Sequence, residues 1–473
     1  MKKNKPAVFL SLVVWAAGCA GSGQVQYADS IDWDAEYDVV VVGFGGAGAS
    51  ASIAAAEAGA KVLLTEKAPL GHEGGNTRYC FQVIRNYHDY NKGIQYVTAE
   101  AEGFDHMTSD IIDFIVRGSM ENADWLKSLG LPAPEPGSKA LGEYPEYPGA
   151  DQTFAESIVD PSITNGKTYW ETMRRGVVER KDKITVWFES PALHLIQDPY
   201  TKTVIGVQIN HHGTLRKVRA LNGVVLACGG FENNEEMVEF YTQRERMYPL
   251  GTTYNTGDGV NMALEAGAAL WHMNAISGPW ITIKTPGMDR AHFNTGMPQN
   301  IAKNYAAIYV GKDGARFMNE SGWHRHGHIY YSGNFYSQLT PDPIYIIFDE
   351  SARRAGLDTP PAFGTDLSAE IANGTVIRAN TIRELAEKIG VWVDSADPLV
   401  SVTHPEWDET YRTVGLENQI NAYNRYCADK FDPQFNRRPE TLVPISQPPF
   451  YALELQPAMV NTQGGARRNI ACE

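Results

Sequence analysis

Near the start of the chain, Gly43-Phe44-Gly45-Gly46-Ala47-Gly48 fits the pattern G-x-G-x-x-G, and Glu66 follows 18 residues after the last of these glycines. Each position suits a bound dinucleotide. Gly43 permits a tight strand-to-helix turn, Gly45 lets the backbone approach a pyrophosphate, and Gly48 lets the helix pack against the strand. Through Gly46 and Ala47 the turn enters a helix whose N-terminus offers unpaired N–H groups and partial positive charge to phosphates. A carboxylate at Glu66 suits ribose hydroxyls and disfavours a 2′-phosphate. A second cluster with chemical potential is His324-Arg325-His326-Gly327-His328. Arg325 or His324 could exchange a proton with a substrate; the competing reading is a structural or solvated cluster. A metal site is disfavoured, because i, i+2, i+4 spacing shares a face only in a strand and no carboxylate lies among the three histidines.

The elements that must position these residues follow from the pattern. Tyr37–Val42 is rich in β-branched residues and predicts a buried parallel strand. Ala49–Gly59 is dense in Ala and predicts a helix closed by Gly59, and Ala60–Thr65 predicts a second strand ending at Glu66. Ile184–Phe188 reads as a further strand. Val204–Ile209 and Leu215–Ala220 read as an antiparallel pair in a small sheet near Ser190-Pro191-Ala192. Gly223–Leu226 reads as another buried strand, running into Ala227-Cys228-Gly229-Gly230. Thr256-Gly257-Asp258-Gly259 precedes a helix over Val260–Ala269, where Asp258 could act as an N-cap. From 271 to 444 the β-α-β pattern is lost and Pro becomes frequent, as in Pro341-Asp342-Pro343 and Pro360-Pro361. The fold class is therefore α/β, with a Rossmann-like nucleotide-binding domain over 36–270, an inserted α+β domain over 271–444, and a return to the first domain over 445–473.

Directly after the second strand comes Leu70-Gly71-His72-Glu73-Gly74-Gly75-Asn76-Thr77. This loop resembles the flavin-contacting loop of the fumarate reductase and succinate dehydrogenase flavoprotein superfamily, which also holds ketosteroid dehydrogenases and urocanate reductase. Gly314-Ala315-Arg316-Phe317-Met318-Asn319-Glu320 resembles its G-x-R-F-x-x-E segment, and Asn461-Thr462-Gln463-Gly464-Gly465 its H-T-M-G-G segment. The resemblance spans residues 36–468 and implies FAD. The residues implied to hold it are Gly43, Gly45, Gly46, Ala47, Gly48, Glu66, Gly74, Gly75, Asn76, Thr77, Ala192, Ala227, Gly229, Gly230 and Asp258. It implies non-covalent attachment, because Asn76 stands where covalent members carry His. The implied reaction reduces or forms an activated carbon–carbon double bond by hydride transfer at flavin N5, with Arg325 or His324 handling the proton. Lys303, Asn461 and Thr462 are the implied substrate contacts, and the inserted domain the cap that excludes water.

The fumarate pocket itself is absent. Its His-Pro aligns near Gly278-Pro279, its H-T-M-G-G histidine is Asn461, and its dicarboxylate-gripping Glu and Arg align near Gln299 and Lys303. Fewer cationic donors point away from a small dicarboxylate. Trp280, Trp323, Tyr330, Tyr331 and Phe335 point instead to a larger apolar or aromatic enone or acrylate, with about half of these aromatics serving as core. Electrons would come from a separate redox protein or membrane donor, because no C-x-x-C-H haem motif occurs. Two alternatives stand beside this reading. One is an amine or 2-hydroxy-acid oxidase on the same nucleotide fold. The other is a non-catalytic FAD-binding remnant, since family members continue past the Gly-Gly segment whereas this chain stops at Glu473.

Bulk properties agree with a globular protein of two to three domains: 473 residues, 43% hydrophobic and 21% charged. A net charge of −15 argues against nucleic acid as a partner. Lys2, Lys3 and Lys5 precede an apolar run over Ala7–Ala17. The run is shorter than the ~20 residues of a membrane span and reads as an export signal over 1–24. Ala16-Ala17-Gly18-Cys19 resembles a bacterial lipobox, which would anchor the protein to the cell envelope by a lipid on Cys19. Cys80, Cys228, Cys427 and Cys472 show no metal or disulfide spacing and read as incidental thiols.

Overall fold

The computed structural model describes residues 27–102, 104, 106–131, 140–141, 144–157, 163, 166–244, 246–284, 287, 290–291, 305–321, 327–331, 334–338, 340–356, 363–394 and 414–473. The export signal with Cys19, the cap residues Gln299 and Lys303, and Trp323, His324, Arg325 and His326 lie outside the described residues. So do the side chains of Tyr330, Tyr331 and Phe335.

The chain divides into two compact units. The first holds the described residues up to Asn234, with Gly251–Met273 and Gly464–Glu473; the second holds Glu235–Leu250 and Asn274–Gln463. In the first unit, β1 (Ala35–Val42), α1 (Gly46–Glu57) and β2 (Val62–Thr65) form the anticipated β-α-β motif, with β1 and β2 parallel. The run of valines is explained by burial on both faces. Val39 and Val41 pack with Ile53, Val62, Leu64, Trp170 and Met173 on one side. Val40 and Val42 pack with Leu63, Val207, Val218 and Met262 on the other. Such a strand has no solvated face, so it shows no polar alternation. Helix α1 begins at Gly46, three residues ahead of the sequence expectation. Its first turn needs no intrahelical donors, so Gly does not prevent it.

Ile184–Trp187 extends the sheet in parallel beyond β2. On the other edge the structure departs from expectation. Thr214–Leu226 is one continuous 13-residue strand, antiparallel to Val204–His211 over Thr214–Arg219 and parallel to β1 from Val218 onward. Ala192–Gln197 completes a single six-stranded sheet among the described residues. The separate small sheet is thus an extension of the nucleotide-binding sheet. A register shift against β1 between Tyr37 and Val39 absorbs the irregularity that broke the sequence pattern in two.

The second unit centres on Phe450–Met459, a ten-residue strand buried at all but one position. It pairs antiparallel with Ile344–Asp349, Trp280–Ile283 and Val376–Ala379, and in parallel with Tyr248–Pro249. Beside this sheet lies a cluster of charge. Arg316 Nε donates to Glu320 Oε1 at 2.8 Å, and its two terminal nitrogens donate to Asp432 at 3.1 and 3.0 Å. Arg437 Nη1 donates to the Ala307 carbonyl at 2.9 Å and lies 3.4 Å from Glu320 Oε2. All four side chains are fully buried. Burial alone would lower the pKa of Arg316, but Glu320 and Asp432 raise it; burial alone would raise that of Asp432, but Arg316 lowers it.

Two guanidinium groups against two carboxylates make the cluster neutral, so removing one member strands a buried charge. R316M is expected to lower unfolding stability by about 3–5 kcal/mol, read as a shift of the urea midpoint. In the wild type, the contribution of Asp432 is present above its unfolded pKa and is lost as pH falls through the carboxylate range.

Candidate cofactor and substrate site

In the first unit, the carboxyl end of the sheet gathers the residues that the spacing pointed to. A Cβ on Gly48 would lie 1.8 Å from the Gly43 carbonyl oxygen, so only glycine lets α1 seat so close to the turn. Glu66 is 7% exposed. Its Oε2 accepts from the Phe44 amide at 2.7 Å and its Oε1 from the Ala68 amide at 2.8 Å. Burial, the largest effect, raises its pKa against these amide bonds. A carboxylate has about four lone-pair positions, so both oxygens can still accept from ribose hydroxyls. The Ser190 amide donates to the Glu66 carbonyl at 2.8 Å, which sets Ser190-Pro191-Ala192 beside the acid.

The loop after β2 is tied down at each end. Arg174 donates to Glu73 Oε1 at 2.7 Å, and Arg78 bonds the carbonyls of Gly71 and Glu73. Burial alone would raise the Glu73 pKa, but Arg174 lowers it. Gly74 has φ 118°, and Gly75–Arg78 forms a single 3₁₀ turn. Gly45 bridges Gly74, and Thr77 Oγ1 accepts from the Gly46 amide at 3.1 Å, which leaves the hydroxyl proton for a phosphate oxygen. Asn76 Nδ2 donates to Glu232 Oε1 at 2.6 Å, and its Oδ1 accepts from the Thr252 amide at 3.0 Å.

The third wall is the Ala227–Gly230 turn with the start of Asp258–Glu265. The Ala227 amide donates to the Val42 carbonyl at 2.8 Å, and the Gly257 amide to the Gly230 carbonyl at 3.1 Å. Asp258 is not the N-cap. Gly257 takes that place, and Asp258 is the first helical residue. Its carboxylate takes Lys67 Nζ at 2.6 Å and the Thr256 hydroxyl at 2.8 Å. Burial pushes the Cys228 thiol up to about 12, which removes it as a thiolate nucleophile beside the nucleotide.

In the second unit, Asn461-Thr462 pairs antiparallel with Ile276-Ser277, so Asn461 lies opposite Ser277, next to Gly278-Pro279. A Cβ on Gly327 would lie 2.1 Å from the Gly278 carbonyl carbon. Gly327 itself is therefore packed directly against the Gly278-Pro279 turn. The Gln338 amide donates to the Gly327 carbonyl at 2.7 Å, and Arg244 Nη2 to the Gln338 carbonyl at 2.9 Å. Trp280 is buried in a small apolar cluster with Tyr248 and Leu250, and so belongs to the core.

Residues 38–473 match the model of a protein family described as FAD binding domain. The chain belongs to that family. Its cofactor is FAD, and it is an FAD-dependent oxidoreductase. It is 28% identical to a vinyl phenol reductase of Lactiplantibacillus plantarum, over 91% of this chain and 85% of that one. It is 27% identical to a digoxin reductase of Eggerthella lenta, over 96% of this chain and 81% of that one. Its fold matches a 3-ketosteroid Δ1-dehydrogenase from Sterolibacterium denitrificans with a TM-score of 0.70 at 19% identity, over 92% and 90% of the two chains. The fit to FAD rests on this chain's own geometry. Gly45 leaves room, since a Cβ there would meet nothing nearer than 3.7 Å, and Glu66 supplies a buried carboxylate of the kind that accepts from ribose hydroxyls.

Sequence reasoning missed Lys67, Glu232 and Asn255, although each adjoins a residue that it found. The available signal was a charged or amide residue flanking a Gly-rich turn, which is too common to single out. Arg244 gave no signal at all.

If Glu66 holds the ribose, E66Q should weaken FAD binding by about 1.5–3 kcal/mol, roughly 10- to 150-fold in Kd, measured by fluorescence titration of the apoprotein. Because burial raises its pKa, wild-type affinity should fall on acidification before ordinary carboxylates protonate, whereas that of E66Q should stay flat.

Proposed function

We propose that this protein reduces, or in reverse forms, a carbon–carbon double bond activated by an aromatic ring or a carbonyl group. One observation carries the reading: a chain that folds throughout as an FAD-binding oxidoreductase aligns over nine-tenths of its length with a reductase of vinyl phenol. FAD, when bound, supplies or accepts a hydride at N5.

The protein's own residues do the rest. Gly43, Gly45, Gly46, Ala47, Gly48 and Thr77 approach the phosphates. Glu66 holds the ribose, Ala192 borders the adenine side, and Gly74, Gly75, Asn76, Ala227, Gly229, Gly230 and Asp258 shape the loops around the cofactor. Asn461 and Thr462, beside Ser277 and the Gly278-Pro279 turn, form a neutral substrate wall, which favours an uncharged ring or carbonyl over a dicarboxylate. Arg325 or His324 gives the proton to the carbon next to the one that takes the hydride, and Lys303 binds the electron-withdrawing group. The FAD is non-covalent, with Asn76 in the loop where an attachment histidine would stand. A separate redox protein or membrane donor supplies electrons.

The purified protein is expected to absorb near ~370 and ~450 nm, as an oxidised flavin does, to release its FAD on acid precipitation, and to bleach with dithionite. Vinyl phenols, aryl acrylates and enones are then added without oxygen. Return of the ~450 nm band with at least one of them, together with the saturated product, is the expected result. Reoxidation only by fumarate would overturn the substrate class, and a colourless protein that takes up no FAD would overturn the activity.

A further inference from the structure

The carboxyl group of Glu232 is almost wholly buried, at 3% exposure, at the inner end of the Ala227–Gly230 turn. One of its oxygens, Oε1, accepts two amide donors: Asn76 Nδ2 at 2.6 Å and Asn255 Nδ2 at 2.7 Å. Asn76 comes from the loop after β2, and Asn255 from the segment that leads to Asp258. Three segments distant in sequence thus meet on one oxygen atom. The backbone is shaped around the meeting. A Cβ on Gly251 would lie 2.2 Å from Asn76 Oδ1, and one on Gly229 would lie 2.5 Å from Asn255 Oδ1; both glycines have positive φ, 67° and 71°. Asn233 fastens the same corner, its Nδ2 donating to the Thr252 carbonyl at 2.9 Å and to the Asn255 carbonyl at 3.2 Å.

An acid this deeply buried is costly unless its hydrogen bonds are satisfied. Fixing the Gly74–Arg78 loop gives it a purpose. With Nδ2 on Glu232 and Oδ1 on the Thr252 amide, the Asn76 side chain has both ends of its amide fixed by protein. The loop therefore meets the cofactor mainly through its backbone and Thr77, and that backbone is held by the side chain behind it. We propose that Glu232 is a positioning residue: through Asn76 it fixes the Gly74–Arg78 loop for FAD, and its charge lowers the reduction potential of the bound flavin. This rests on the reading of the first unit as the FAD site.

The test compares the wild type with E232Q, E232A, N76A and the E232A/N76A double variant. Three quantities are measured: FAD Kd, flavin midpoint potential by dye equilibration, and the rate of tryptic cleavage after Arg78 in the apoproteins. E232Q keeps an oxygen for both amides but no charge. It should bind FAD within about threefold of wild type while its potential rises, a change that a purely structural role would not produce. E232A and N76A should each raise Kd at least tenfold and speed cleavage after Arg78, and the double variant should be no worse than either, since both break one unit. Wild-type Kd and cleavage in E232A, or additive effects in the double variant, would overturn the brace. An unchanged potential in E232Q would overturn the role of the charge. Should E232A fail to fold, E232Q and N76A still decide both points. If the wild type takes up no FAD, the cofactor reading fails by itself, and apoprotein cleavage still judges the brace.

Discussion

The bond between the Glu66 carboxylate and the Phe44 amide fixes the geometry on which the nucleotide unit depends. It joins the end of β2 to the turn between β1 and α1 at 2.7 Å, and the same acid turns back to the Ala68 amide. The glycine turn is thereby fixed at the sheet's carboxyl edge. The acid is largely buried, so its hydrogen bonds are stronger than they would be at a surface, and the cost of leaving it unmatched is higher. The other walls are fastened by the same chemistry: Glu73 by Arg174, Asp258 by Lys67, and Glu232 by two asparagines. Four acids, each tied to a partner, thus fasten the loops at this end of the sheet.

Much of this was legible in the sequence, because local rules govern it. A β-branched run, a glycine pattern, an Ala-rich helix and an acid at a fixed interval each have a physical reason confined to some thirty residues. Parallel strands buried on both faces announce themselves as unbroken apolar runs, as Val39–Val42 in β1 and Val62–Leu64 in β2 did, whereas the edge strand Ile184–Trp187 buries only Ile184 fully and was read from its β-branched residues. The strand Thr214–Leu226 was misread as two, because Asn222 and Gly223 interrupt the apolar run just past the point where pairing passes from Val204–His211 to β1 alone.

The rest depended on tertiary contact. Nothing local to Glu232 marks it as the acceptor for residues 156 positions before it and 23 after it. Arg316 and Glu320 were visible as a motif, but their partners Asp432 and Arg437 lie more than a hundred residues downstream. Asn461 and Gly278-Pro279 were each noticed through resemblance, and only the pairing of Asn461 with Ser277 brings them to one place.

The central strand of the second unit, Phe450–Met459, has a consequence for how the protein is made. Among the described residues four other strands hydrogen-bond to it, and three of them, Trp280–Ile283, Ile344–Asp349 and Val376–Ala379, precede it by about 70 to 180 residues. Synthesis proceeds at about 5–20 residues per second, so those apolar edges wait several seconds on the ribosome for the segment that joins them. Long-range pairing of this kind folds slowly and leaves sheet edges open to other chains. The topology that builds the second unit therefore leaves its strand edges unpaired during synthesis until Phe450–Met459 has been made.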